Sequence, residues 1–116
     1  MNVFKSAIEG KRLSSVVFVE DYLQLVFDGD VLTMFVWPEI SGGSKIFKQG
    51  SEGYRDALSR LINRSVVEAA EHPGEELSLL FSSGDVLSMS LRADDRMGVE
   101  AGTFYSTKDR LSVVWN

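Results

Sequence analysis

The residue types that do chemistry are sparse in this chain, and their spacing does not gather them. The single histidine, His72, stands in His72-Pro73-Gly74, a composition that makes a turn between strands. Serines are plentiful, so a Ser-His-Asp relay is formally open, but no Gly-x-Ser-x-Gly elbow is present and nothing pairs His72 with a particular serine. One histidine and no cysteine leave no histidine-rich or thiolate metal centre, no disulfide and no cysteine nucleophile. Asp28 and Asp30 flank Gly29, and Asp94 adjoins Asp95, yet neither spacing is that of a twelve-residue calcium loop, and both read as acidic turn residues. Gly42-Gly43 lacks the lysine and hydroxyl residue that complete a phosphate loop and signals flexibility. Glu100 sits in a more apolar context, where partial burial would suit it to acid–base work, although a structural carboxylate is the plainer reading. No catalytic, cofactor or metal set emerges, and the expected function is not enzymatic.

Binding chemistry is better represented. The net charge is −5, from 17 acidic and 12 basic side chains, which disfavours a phosphate backbone as partner. Bases collect between Lys45 and Arg64, and Glu68, Glu71, Glu75 and Glu76 follow without a base among them. Such runs are usually hydrated faces; the acidic one is also a candidate surface for a basic protein. No stretch approaches the roughly 18 apolar residues of a membrane span, and Met1 to Gly10 lacks a signal-peptide core, so a cytoplasmic location is expected.

An internal repeat positions these residues. Leu23-Gln-Leu-Val-Phe-Asp-Gly-Asp-Val-Leu-Thr-Met34 matches Leu77-Ser-Leu-Leu-Phe-Ser-Ser-Gly-Asp-Val-Leu-Ser-Met89, the second copy having one extra turn residue, and upstream Ser15-Val16-Val17 matches Ser65-Val66-Val67. Alternating side chains broken at Asp28-Gly29 and Ser83-Gly84 predict two β-hairpins. Leu23, Leu25, Phe27, Leu32, Met34 and Val36 of the first, with Leu77, Leu79, Phe81, Leu87, Met89 and Leu91 of the second, form the predicted core. Tyr54, Ala57, Leu58, Leu61 and Ile62 recur at helical spacing and predict one helix over about 52–62, capped by Ser51 and ended by Asn63 in a left-handed conformation. Ser41 to Ser44 reads as a flexible loop, 45–50 as little regular structure, 92–98 as a loop, 99–106 as extended and Leu111 to Trp115 as a final strand. The expected fold is therefore α+β, mostly β: one domain over 1–116 with repeats at about 13–37 and 63–92, the two hairpin units forming a twisted sheet or half-barrel with one packed helix.

The second faces of the two hairpins differ. The C-terminal copy carries Ser78, Ser82, Ser88, Ser90 and Arg92 with Leu80 and Val86, which suits water, whereas the N-terminal copy carries Val26, Val31, Phe35 and Trp37 with Gln24 and Thr33. That apolar face needs a cover: either the helix lies on it, or it is a patch for self-association or a partner, with Phe35 and Trp37 at its heart.

The chain also resembles a family of small uncharacterised bacterial proteins through Ile8-Glu-Gly-Lys-Arg-Leu13, Val16-Val-Phe-Val-Glu-Asp-Tyr-Leu-Gln-Leu25, Leu61-Ile62, the second hairpin, Glu100-Ala101 and Leu111-Ser-Val-Val-Trp115. Members have a duplicated hairpin, a Glu-Ala step and a last apolar strand ending in tryptophan, which makes Glu100 and Trp115 signature positions; Ser106-Thr-Lys-Asp-Arg110 departs from the glycine-rich run of some members. Such proteins are sometimes proposed as immunity partners of secreted toxins. With the acidic run read from the sequence, the expected function is a non-enzymatic protein-binding module, of the immunity type that the resemblance suggests, which neutralises a basic toxin with Glu68, Glu71, Glu75 and Glu76. The alternatives are a structural homo-oligomer, a homodimer through the first hairpin's apolar face, or a small-molecule binder using Glu100 or the tyrosines.

Overall fold

The structure, a computed structural model, describes residues 2–116. In chain order its elements are α1 (Val3–Ile8), β1 (Ser15–Val19), β2 (Tyr22–Phe27), β3 (Asp30–Met34), β4 (Glu39–Gly42), β5 (Lys45–Phe47), α2 (Tyr54–Ser59), β6 (Val66–His72), β7 (Glu76–Phe81), β8 (Val86–Ser90), β9 (Gly102–Ser106) and β10 (Leu111–Trp115). The strands form two antiparallel five-stranded sheets, ordered β1-β2-β3-β9-β10 and β5-β4-β8-β7-β6. The mostly β, α+β class is thus as the sequence predicts. The two hairpins lie in separate sheets, and the chain passes from one sheet to the other after β3 and again after β8.

Turn chemistry sets the hairpins. Phe27 pairs directly with Asp30, so β2 and β3 are joined by Asp28 and Gly29 alone, at φ 49° and 96°. Two successive left-handed residues match the twist of a tight hairpin, and Asp-Gly supplies them with little strain. The second hairpin accommodates its extra residue by closing on Asp85, whose carbonyl accepts from the Phe81 amide, with Gly84 at φ 92°. Period-two alternation then sends all twelve predicted core side chains inward, where each is buried in a single cluster drawn from both sheets. Gly102 marks the closest approach: a Cβ there would stand 2.7 Å from the Thr33 carbonyl oxygen on β3 and 3.1 Å from Met89 of the opposite sheet. Only glycine lets β9 lie this close to both.

Several elements differ from expectation. The helix of the apolar stripe is shorter, and it is entered through Gly53 at φ 83°, not from a Ser51 cap. Ser51 instead closes the preceding turn, its hydroxyl donating to the Lys48 carbonyl at 2.6 Å. Beyond Ser59 the backbone tightens to i→i+3 bonds at Leu61 and Ile62, which keeps Leu61 buried but turns Ile62 outward, before Asn63 takes the left-handed conformation at φ 76°. Ser41 to Phe47 is no loose connection: it is the β4–β5 hairpin, with Gly43 at its turn. β4 also docks on β8, and Ile40 buries itself opposite Leu87.

A second helix, α1, was not foreseen. Asn2 caps it by accepting the Lys5 amide, and Phe4 and Ile8 are its buried face. It closes the free edge of β6, where the Lys5 ammonium donates to the Ala69 carbonyl and the Glu9 carboxylate accepts the Ala69 amide. Those two bonds satisfy edge groups that would otherwise template another strand. They also hold the Glu9 carboxyl below its usual range, the Lys5 hydrogen bond first and the Ala69 amide second. This contribution is present above the ordinary carboxylate pKa and is lost as pH falls through the lowered one.

Candidate functional site

The two sheets bury their inner faces against one another and present outer faces of opposite character. On the first, the registers align three outward rows: Ser15, Val26, Val31, Tyr105 and Ser112; then Val17, Gln24, Thr33, Thr103 and Val114; then Val19 and Tyr22, with Phe35 beyond the end of β3. No row holds a charged side chain. Gln24 satisfies its amide within the face by donating to the Thr33 hydroxyl at 3.2 Å, and the Tyr22 and Phe35 rings meet edge to face with centroids 5.7 Å apart. Val17, Tyr105 and Val114 stand exposed, at 37%, 54% and 45%.

Neither helix covers this face. α2 packs against β1 and β4, and α1 against β6, so of the two expected covers the helix is absent and the patch remains open. The patch is also wider than the first hairpin, because β1, β9 and β10 extend it on both sides with Val17, Tyr105 and Val114. Sequence reasoning missed those strands' share, since nothing local in Thr103 to Val114 says which strand it will join; the alternation of Thr103 and Tyr105 about buried Phe104 was the available signal.

Phe35 stays at the end of this face beside Tyr22, but Trp37 does not. The strand ends at Met34 and the chain crosses to the other sheet, so that Trp37 is partly buried against the core. It lines a cleft of about 740 Å³ with Phe18, Tyr54 and Arg55, whose guanidinium lies 5.4 Å from the Phe18 ring centroid. Tyr54 offers the cleft its ring and not its hydroxyl, which donates to the Pro38 carbonyl at 2.6 Å. Burial, and secondarily Glu39, raise that phenol far above its usual value. Because the raised pKa belongs to the folded state, the associated stability is complete below the unfolded value of about 10 and is lost as pH rises through and beyond it. Tyr54→Phe is accordingly expected to cost about 1 kcal/mol at neutral pH through the lost hydrogen bond, and to flatten the decline of stability above about pH 10 in urea titrations. An unchanged alkaline slope would show that the phenol is not what limits stability there.

The outer face of the second sheet is hydrated and anionic. Its rows are Ile46, Ser41, Val86, Leu80 and Glu68; then Glu39, Ser88, Ser78 and Ala70; then Ser90, Glu76 and His72. Glu68 and Glu76 therefore lie on one surface, joined by Glu39, and Glu75 stands in the adjoining turn. Glu71 does not: it pairs with Leu77 on the inward side, at the rim, where its carboxylate is 3.5 Å from the Asn2 amide nitrogen. His72 ends β6 at the turn, whose Glu75 amide donates to its carbonyl. Glu100 is exposed in the approach to β9, which removes the partial burial expected of it.

Among the described residues one charged side chain is interior. Asp30, 2% exposed, opens β3 and is held by the Lys11 ammonium, which also reaches Asp109 at 3.4 Å; the buried Ser106 hydroxyl accepts the Asp109 amide. This cluster ties the segment after α1 to the turns of both hairpins in the first sheet, and it serves the fold. Among the described residues no group of three metal-ligating side chains comes together, and no helix is long and apolar enough to cross a membrane. What the arrangement offers is therefore two extended sheet faces, one anionic and one uncharged, and an aromatic cleft beside the crossover. Comparison with known proteins finds no family model, no curated protein and no solved structure that matches this chain.

Proposed function

We propose that this chain is a protein-binding module that takes a basic partner on the outer face of its second sheet, in the manner of an immunity protein masking a basic toxin surface. The observation that carries this reading is the composition of that face: Glu39, Glu68 and Glu76 lie among serines with no lysine or arginine in any of its rows. Ile46, Val86 and Leu80 run across it as an apolar stripe, with Ile46 63% exposed. Carboxylates of one sign steer encounter and set specificity, while desolvated apolar side chains supply most of the hold. Serine hydroxyls between them can donate or accept as a partner requires.

A duplication underlies this asymmetry. Phe4-Lys5-Ser6-Ala7-Ile8 aligns with Tyr54-Arg55-Asp56-Ala57-Leu58 at the same offset of 50 residues that relates Ser15-Val16-Val17 to Ser65-Val66-Val67. Each half then reads as a helix followed by five strands, and the order β1-β2-β3-β9-β10 becomes β6-β7-β8-β4-β5 when the halves are exchanged. In this reading each half lends its last hairpin to the other's sheet, and one outer face has diverged toward charge while the other lost it.

The test is capture of the tagged chain's partner from its native lysate, followed by association kinetics with the purified partner. A basic partner whose association rate falls steeply with salt, and about tenfold or more on Glu68→Lys with Glu76→Lys, is the expected result. A rate indifferent to both salt and these reversals would place the contact elsewhere.

A further inference from the structure

The uncharged outer face of the first sheet has no role in that reading, and it has the properties of a surface that meets its own copy. We propose that two chains associate through this face about a two-fold axis that runs across the strands, at the level of the middle row containing Gln24, Thr33 and Val114.

Size is the first argument. Five strands about 4.8 Å apart, each contributing about five residues of 3.3 Å, project to about 400 Å² per copy. Side-chain relief raises the accessible area above the projection, so two copies bury on the order of 1,000 Å², which is where specific interfaces begin. Self-complementarity is the second. An isologous contact sets each residue near the axis against itself, and any charge there would meet its like. This chain carries −5 overall and none of it on this face. Gln24 bonds one of its two amide hydrogens to Thr33 within the face, and the remaining polar groups there are neutral amide and hydroxyl groups that can each donate or accept toward the same groups of a second copy.

The rim sets the direction of the axis. At the end of the sheet where β1 turns into β2 stand Glu20 and Asp21, and Glu100 lies there too, since Asp21 and Glu100 border the same hollow beside Phe35. At the opposite end the acids Asp28, Asp30 and Asp109 stand with the bases Lys11, Arg12, Lys108 and Arg110, which leaves that end with one positive charge in excess. A two-fold axis along the strands would bring acidic end against acidic end. An axis across them reverses strand direction and sets the basic end of one copy over the acidic end of the other, which lowers the electrostatic cost and fixes the register.

Thr33, at the middle of the central strand and 9% exposed between its cross-strand neighbours Gln24 and Thr103, then lies at the axis. Sedimentation of the isolated protein over a wide concentration range should show a concentration-dependent dimer. Thr33→Lys and Thr33→Glu should each sediment as folded monomers, and an equimolar mixture of the two should regain the dimer mass, because the like-charge contact becomes an ion pair. Tyr105→Lys, at a position exposed in the single chain, should raise the dissociation constant about tenfold or more and serves if the Thr33 variants fail to fold. A wild-type chain that stays monomeric at every concentration overturns the proposal. So does a dimer that survives charge at Thr33 or Tyr105, or charged variants that do not recover on mixing. The measurement uses no partner, so it can fail while the anionic-face reading stands, and the reverse.

Discussion

Replacing Lys11 by methionine is expected to lower the free energy of unfolding by about 3–5 kcal/mol at neutral pH, a large share of the 5–15 kcal/mol of a typical domain. The reason is the position of its partner. The Asp30 side chain retains 3% of its accessible surface, so without the ammonium its carboxylate is left in the interior with neither water nor a counter-charge. The effect is distinct from that of an ordinary surface pair. The second contact of Lys11 is to Asp109, whose side chain is 45% exposed, and Asp109→Asn should cost no more than about 1 kcal/mol. Removing both interior charges, with Lys11→Met and Asp30→Leu together, should restore most of the loss, since what destabilises is the uncompensated charge and not the absence of the pair. Urea denaturation of the three variants measures all of this. A single change at Lys11 that costs under about 1 kcal/mol would mean that water reaches Asp30 and that the pair behaves as a surface one.

Phe104→Ala should be of similar severity, about 3–5 kcal/mol, seen as a fall in melting temperature of about 10–25 °C. Phe104 is fully buried on β9, opposite Leu32 on β3 and Val113 on β10. The Phe4 ring of α1 meets it edge to face at 5.0 Å and in turn meets Trp115 at the same distance. Truncation therefore removes one member of an aromatic chain that joins α1 to the first sheet. The walls of the resulting cavity are sheet backbone paired on both sides, which cannot relax inward as a loop would. A cost of less than about 2 kcal/mol would show that the Phe4 helix shifts to fill the space, and loss of the protection of the β6 edge amides in hydrogen exchange would then be expected with it.

How much of this was legible beforehand follows the range of the forces involved. Period-two alternation is local, so Leu23 to Val36 and Leu77 to Leu91 disclosed their strands, their turns and all twelve inward side chains. The Asp-Gly turn and the left-handed Asn63 were equally local. The β4–β5 hairpin was not, because Glu39 to Phe47 is short, glycine-rich and stabilised by docking on β8. Nor was α1: six residues are too few to form a helix alone, and this one exists because Phe4 and Ile8 find the core and Lys5 and Glu9 find the edge of β6.

The candidate surfaces divide in the same way. Sequence alone established that the two hairpins carry unlike second faces, and that Glu68 and Glu76 belong to an acidic stretch. Tertiary structure decided that Trp37 leaves its hairpin for a cleft, that Glu71 turns to the rim, that Glu100 is exposed, and that the uncharged face spans five strands with no helix upon it. Alternation says which side of a strand a residue occupies, but the neighbour across the sheet is chosen by long-range pairing, and that pairing is set by how both sheets close over one shared core.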